Sequence, residues 1–126
     1  MTLGSLARLG LGAARYRLTG KRSPLTVFWS VTNQCDSLCE FCATPFRAQR
    51  ELTTAEALRV ADQLVAEDGQ VVVITGGEPL LREDIGALVR RLAAGGVHVE
   101  LHTNGRLWPE RAAELPDVGH LVVALD

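Results

Sequence analysis

Cysteine is missing from the whole 126-residue sequence except positions 35–42, which hold all three. An odd count at such short spacing excludes a disulfide framework, which needs pairs of cysteines that close longer loops. The sequence also lacks any apolar run that approaches the ~20 residues of a membrane span. Because clustered thiols are typical of a reducing compartment, we expect a cytoplasmic protein.

Acidic residues are missing from positions 1–22, where five basic residues give a net charge of +5. The rest of the chain carries 8 basic and 15 acidic residues, so its net charge is −7. A negative charge of this size argues against nucleic acid as a partner of the main body.

The first 22 residues are predicted to form a basic amphipathic helix, because leucines recur there at roughly helical spacing with arginines between them. The arginines interrupt the apolar residues, so the segment does not match a secretory signal. Such a helix can lie on a membrane surface or bind a partner. Packing against the rest of the fold is the favoured alternative.

Beyond this segment, short strands alternate with helices, and this order predicts an α/β fold with a parallel sheet. The strands are expected at 25–32, 71–74, 97–102 and 120–125, and the helices at about 53–69, 83–95 and 109–115. Thr53 and Glu56 form a capping-box pattern at the start of the first helix. The second strand is apolar without alternation, which is typical of a strand covered on both faces.

The three cysteines, Cys35, Cys39 and Cys42, follow directly on the first predicted strand. Soft thiolates select zinc, copper(I) or iron–sulfur clusters. A structural zinc site needs a fourth protein ligand, and only His98, His102 and His120 could supply it. The first two lie in a strand-like segment and are awkward partners for one metal. A [4Fe–4S] cluster, by contrast, can be held by three cysteines, which leaves one iron open for chemistry.

Two motifs together resemble the radical S-adenosylmethionine (radical SAM) enzymes. The cysteines, with Phe41 as the aromatic residue, match the C-x3-C-x-aromatic-C signature after the first strand of a partial (β/α) barrel. The run Gly76-Gly77-Glu78-Pro79 matches a second signature after the second strand. The residues before the first cysteine and the turn at 103–105 look most like the branch with molybdenum-cofactor cyclases and peptide-modifying enzymes. The resemblance covers residues 25–126.

The resemblance implies that the cysteines ligate a [4Fe–4S] cluster and that S-adenosylmethionine binds its fourth iron. Reductive cleavage would give a 5′-deoxyadenosyl radical, which abstracts hydrogen from a small-molecule or peptide substrate that the sequence does not identify. An electron donor such as flavodoxin or ferredoxin is expected.

The resemblance also assigns residues to the cofactor. The glycines would let backbone approach its methionine end, Glu78 would offer a carboxylate to its ammonium, and Phe41 would pack beside the adenine. The full expected set is Phe41, Gly76, Gly77, Glu78, Pro79, Thr103, Asn104 and Asp126. All of them follow predicted strands, and barrels of this kind gather their working residues at the carboxyl ends of strands.

The family's core has six strand–helix units, whereas four strands are predicted here. We therefore expect residues 1–22 to form a separate segment and 23–126 to be the N-terminal portion of a radical SAM core, truncated after strand four. Cofactor cleavage by this portion alone is expected to be poor. Two alternatives are a non-catalytic α/β module with structural zinc, and a thiol redox protein that uses Cys39 and Cys42 but leaves Cys35 unexplained.

Overall fold

The structure, a computed structural model, describes residues 10–11, 14, 16–20, 24–42, 49–67 and 71–124. Its centre is one parallel sheet whose strands lie in sequence order: β1 (Thr26–Thr32), β2 (Val71–Gly76), β3 (His98–Thr103) and β4 (His120–Val123). The connecting helices are α1 (Thr54–Ala66), α2 (Ile85–Ala94) and α3 (Trp108–Arg111). The predicted α/β class and the parallel sheet are confirmed.

One face of the sheet packs against the helices. Side chains of a strand alternate between the two faces, and in β3 the buried positions are Val99, Leu101 and Thr103. With apolar residues of β1, β2, α1 and α2 they form one core, which includes Trp29, Val31, Ala57, Ala61, Val72, Ile74, Leu88, Val89 and Leu92. This packing fixes the sheet, and therefore the positions of the loops at its edge.

The opposite face of the sheet is more open. It carries Phe28, which is 70% exposed, and the polar residues Glu100 and His102. In β2, however, Val73 points to this face and is buried, as are its neighbours Val72 and Ile74. Residues 72–74 are thus buried on both faces of the sheet, as predicted for the second strand.

Two short segments differ from the predicted elements. The helix expected at 109–115 ends as an α-helix at Arg111 and continues as a 3-10 helix over Ala112–Glu114, with i→i+3 bonding between Leu115 N and Ala112 O. A further 3-10 helix, Pro79–Leu81, lies between β2 and α2 and has no periodic signal in the sequence. Turns of three residues are too short to show a hydrophobic repeat.

Only part of the N-terminal segment is described. The described positions in it, 10–11, 14 and 16–19, are helical and exposed. The amphipathic helix over residues 1–22 and its packing stay predictions. Among the described ranges, no helix is long and apolar enough to cross a membrane.

The start of α1 is fixed by the predicted capping box. The Thr53 hydroxyl accepts a hydrogen bond from Glu56 N, and the Glu56 carboxylate accepts one from Thr53 N at 2.9 Å. Arg50 adds two hydrogen bonds to the same carboxylate, at 2.9 and 3.0 Å. The Thr53 hydroxyl donates to it as well, at 3.0 Å. Four donors around one carboxylate favour its charged form.

The capping carboxylate makes stability depend on pH. Hydrogen bonds from Arg50 and then from Thr53 lower the pKa of Glu56 from 4.5 to about 2. A carboxyl with a lowered folded-state pKa stabilises the fold above its unfolded pKa and loses this effect as the pH falls toward the folded value. We expect Glu56→Gln to reduce the free energy of unfolding at pH 7, by an amount that shrinks between about pH 4.5 and pH 2.

Urea unfolding at pH 7, 4.5 and 3, followed by circular dichroism, measures this difference. Glu110→Gln, which changes an exposed glutamate of α3, is the matched control. A wild-type advantage that stays constant across this range would contradict the prediction.

Candidate functional site

Three loops meet at the carboxyl edge of the sheet because parallel strands end at the same edge. The cysteine loop (residues 33–42) follows β1, the glycine segment (residues 76–79) ends β2, and the 103–106 turn ends β3. Every predicted site residue lies in one of these loops except Asp126, which lies outside the described residues.

The cysteine loop holds its three thiols in half-buried positions. Cys42 N donates a hydrogen bond to Cys39 O at 3.0 Å, which forms a turn between the second and third cysteines. Ser37 N lies 3.4 Å from the Cys35 sulfur and donates to it. The loop therefore presents its thiols in two local turns rather than as core residues.

A cavity of about 420 Å³ opens beside the loop and is lined by Ser37, Leu38, Cys39, Glu40, Phe41 and Arg106. Its volume lies in the range of small-molecule sites. Leu38 and Phe41 are 80% and 78% exposed, so the predicted aromatic residue is not part of the core. An exposed apolar pair beside a guanidinium suits a ligand with both apolar and anionic parts.

The two glycines lie against the backbone that leads into the cysteine loop. A Cβ on Gly77 would overlap the carbonyl oxygen of Gln34, and one on Gly76 would overlap that of Thr32. Gly77 N donates to Thr32 O at 2.8 Å, and Glu78 N donates to Gln34 O at 2.7 Å. The structure thus shows a close approach between this segment and the backbone that leads into the cysteine loop. The expected approach to the methionine end of the cofactor stays a prediction.

Glu78 is buried and bonded on both oxygens. Its side chain is 1% exposed, Oε1 accepts from Leu80 N at 2.9 Å and Thr103 Oγ1 at 2.8 Å, and Oε2 accepts from Asn104 N at 2.8 Å. A carboxylate has about four acceptor positions, so these donors occupy most of them. In the described structure Glu78 joins β2 to β3, and its expected contact with a cofactor stays a prediction.

The 103–106 turn reaches across to the cysteine loop. Asn104 Nδ2 donates to Asp36 Oδ1 at 2.7 Å and to Ser37 Oγ at 3.0 Å. Arg106 Nη1 donates to Asp36 O at 3.2 Å. Sequence reasoning missed Asp36, Ser37 and Arg106, although their positions between two cysteines and after a predicted turn were available as a signal.

A second cavity, of about 350 Å³, lies beside the start of α1 and is lined by polar residues that include Thr32, Glu51 and Asp84. Its centre is Arg82, which donates to Val31 O at 2.9 Å and to Asp84 at 2.6 and 2.8 Å. The hydrogen bond from Arg82 is also the main cause that lowers the pKa of Asp84. This cluster fastens the end of β1 to the start of α2.

Histidines that zinc would need lie elsewhere. His102 Nε2 is 2.7 Å from Glu100 Oε1, and His120 Nδ1 is 3.3 Å from Glu100 Oε2, on the open face of the sheet. The pKa of Glu100 is lowered, chiefly by its hydrogen bond with His102. His98 lies against Gly119. These contacts do not favour the structural-zinc alternative.

The donor set fits an iron–sulfur cluster by its chemistry, since three soft thiols stand within eight residues of one loop. In the part of the chain that the structure describes, no three His, Cys, Asp or Glu side chains converge closely enough to hold a metal ion.

Replacing Gly77 with alanine tests the backbone contact. The added Cβ overlaps the Gln34 backbone, so we expect a loss of about 1–3 kcal/mol in the free energy of unfolding. Gly10→Ala is the matched control, because a Cβ there meets nothing within 4 Å. Urea unfolding of both variants checks this, and equal stabilities would contradict it.

Replacing Glu78 with glutamine tests the buried carboxylate. The amide group would turn a donor toward Asn104 N or Thr103 Oγ1, which leaves buried donors unsatisfied, and we expect a loss of about 1–3 kcal/mol. Glu83→Gln, at an exposed glutamate five positions later, should change stability little. Unfolding free energies that match between the two variants would show that the carboxylate is not needed.

Comparisons with known proteins identify the family of this chain. The model of the Radical SAM superfamily matches residues 29–126. A GTP 3',8-cyclase from Rhizobium leguminosarum is 40% identical over 107 residues, which are 77% of this chain and 31% of that protein. A PqqA peptide cyclase from Bradyrhizobium diazoefficiens is 38% identical over 101 residues, 76% of this chain and 26% of that protein.

Solved structures share the fold. The Streptococcus suis protein SuiB bound to S-adenosylmethionine superposes with a TM-score of 0.70 at 21% identity, over 94% of this chain and 29% of SuiB. The chain thus spans about a third or less of the proteins that it resembles. Because the family model covers residues 29–126 and the named relatives are enzymes, the chain belongs to the radical SAM superfamily, whose cofactors are a [4Fe–4S] cluster and S-adenosylmethionine.

Proposed function

We propose that Cys35, Cys39 and Cys42 hold a [4Fe–4S] cluster and that S-adenosylmethionine binds beside it at the carboxyl edge of the sheet. The observation that carries the proposal is the joining of three motifs there: the glycine segment and the 103–106 turn both bond to the cysteine loop. Three thiolates on four irons leave one position for the cofactor.

With one electron from a donor such as flavodoxin or ferredoxin, the bound pair supplies cleavage of the C5′–S bond to methionine and a 5′-deoxyadenosyl radical, which takes hydrogen from the substrate. The chain's own residues would bind S-adenosylmethionine and orient it. Phe41 and Leu38 offer an apolar wall for the adenosine, and Arg106 lines the same cavity with a cation.

We further propose that the glycine segment and the 103–106 turn form the remaining wall of the site, because both bond to the cysteine loop. Glu78 has one acceptor position beyond its three protein donors, and a cofactor ammonium could use it. Pro79 begins the 3-10 helix and fixes the direction of this backbone. Thr103 and Asn104 complete the edge, with Asp126 as a further contact.

We propose a small molecule or a peptide as the substrate. The relatives are named as a GTP cyclase and a peptide cyclase, and SuiB has been crystallised with the precursor peptide SuiA. The cytoplasm is the proposed location, which clustered thiols support. Residues 1–22 are proposed as a helical segment beside a core portion over 23–126, with membrane contact the less favoured alternative, and nucleic acid is not a proposed partner.

Anaerobic reconstitution with iron and sulfide tests the cluster. We expect about four irons per wild-type chain and, after reduction, an electron paramagnetic resonance signal that changes when S-adenosylmethionine is added. Cys39→Ser should lose most of the iron because serine is a harder and weaker ligand. Glu110→Gln, at an exposed position of α3 outside the cavity, should keep it.

A wild-type chain that binds zinc and gives no cluster signal would reject the proposal in favour of the structural module. Release of 5′-deoxyadenosine by the reconstituted chain measures cleavage separately, so cluster binding and turnover are decided by different data.

A further inference from the structure

One residue, Asn104, contacts both of the other motifs. Its backbone N donates to Glu78 Oε2 at 2.8 Å. Its side-chain amide donates to Asp36 Oδ1 at 2.7 Å and to Ser37 Oγ at 3.0 Å. The bond to Asp36 is charge-assisted and therefore stronger than one between neutral groups.

The amide of Asn104 is held in place from both sides. Its Oδ1 accepts a hydrogen bond from Arg106 N at 3.0 Å, which fixes the side-chain orientation. Its backbone is fixed by Glu78, whose carboxylate is itself held by Leu80 N and Thr103 Oγ1. A donor that is already oriented loses little conformational freedom when it binds the loop.

The bonds from Asn104 fall between the first two cysteines. The start of the loop is fastened to β2, through Gly77 N to Thr32 O and Glu78 N to Gln34 O. Asp36 and Ser37, which follow Cys35, accept hydrogen bonds from the turn at the end of β3. The two strands thus anchor successive parts of the same loop.

We propose that Asn104 is a positioning residue: through Asp36 and Ser37 it holds Cys35 and Cys39 in place, and through Glu78 it ties this loop to the glycine segment. In this role its side chain acts on the loop. For the cluster this inference rests on the proposed function, whereas the order of the loop can be measured without a cluster.

Exchanging the side chains of Asn104 and Asp36 tests whether the hydrogen bond between them positions the loop. Asn104→Asp places one carboxylate against another, so the loop should be released. Adding Asp36→Asn to this variant restores one donor and one acceptor, with their positions reversed. If Asn104 served only to stabilise its own turn, the second substitution would not restore the order of the loop. Asp36→Ala breaks the bond from an exposed residue, which keeps the test valid if Asn104→Asp does not fold. Gln63→Glu adds the same charge on exposed α1 and is the control.

The first readout is amide hydrogen exchange of a peptide over residues 33–42 in the 126-residue chain without iron. We expect Asn104→Asp and Asp36→Ala to exchange about tenfold faster than wild type, because a charge-assisted hydrogen bond is lost. The exchanged pair should return to within about threefold of wild type. Gln63→Glu should match wild type.

The second readout is the reduction potential of the reconstituted cluster and its spectral change with S-adenosylmethionine. Both should shift in Asn104→Asp and return toward wild type in the exchanged pair. Unchanged loop exchange in Asn104→Asp and Asp36→Ala, or no rescue in the exchanged pair, overturns the positioning role. If wild type binds no cluster, the proposed function fails while the exchange data still decide this inference; if it binds one and exchange is unaffected, only the inference fails.

Discussion

The Glu78 carboxylate is the contact on which the edge of the sheet depends. A buried charge is costly unless hydrogen bonds replace the water that it loses, and its donors come from the segment after β2 and from the end of β3. The two strand ends are therefore joined by a group that cannot be exposed or left unpaired without a loss of stability. The hydrogen bonds from Asn104 to the cysteine loop therefore depend on Glu78, because Glu78 fixes the Asn104 backbone.

The packing beneath explains why such an anchor can be rigid. The apolar side chains of β2 and β3 pack against α1 and α2 in one core. A close-packed interior has low compressibility and transmits strain, so the strand ends keep fixed positions relative to one another. Loops fastened to the strand ends take their geometry from this core, which is how a scaffold of this kind supports precise chemistry.

The fold was largely predictable from the sequence, because alternation in β3, the apolar run of β2 and the capping box of α1 are local signals. The family also followed from two motifs. What remained hidden were contacts between residues far apart in the chain: the role of Gly77 beside Gln34, and the bond from Asn104 to Asp36, depend on how strands pair. A three-residue 3-10 helix left no periodic pattern, and Asp126 lies outside the described residues.

The anchors of the cysteine loop lie far from it in sequence: Asn104 follows Asp36 by 68 positions. Contacts between residues so far apart in sequence form late in folding. The chain loses conformational entropy when the long loop closes, before the contact contributes any favourable energy. In zinc fingers the metal drives folding of an otherwise unfolded chain. Here the strands must pair before the loop has its shape, so we expect iron delivery to follow folding, with the assembled sheet acting as the template for the cluster.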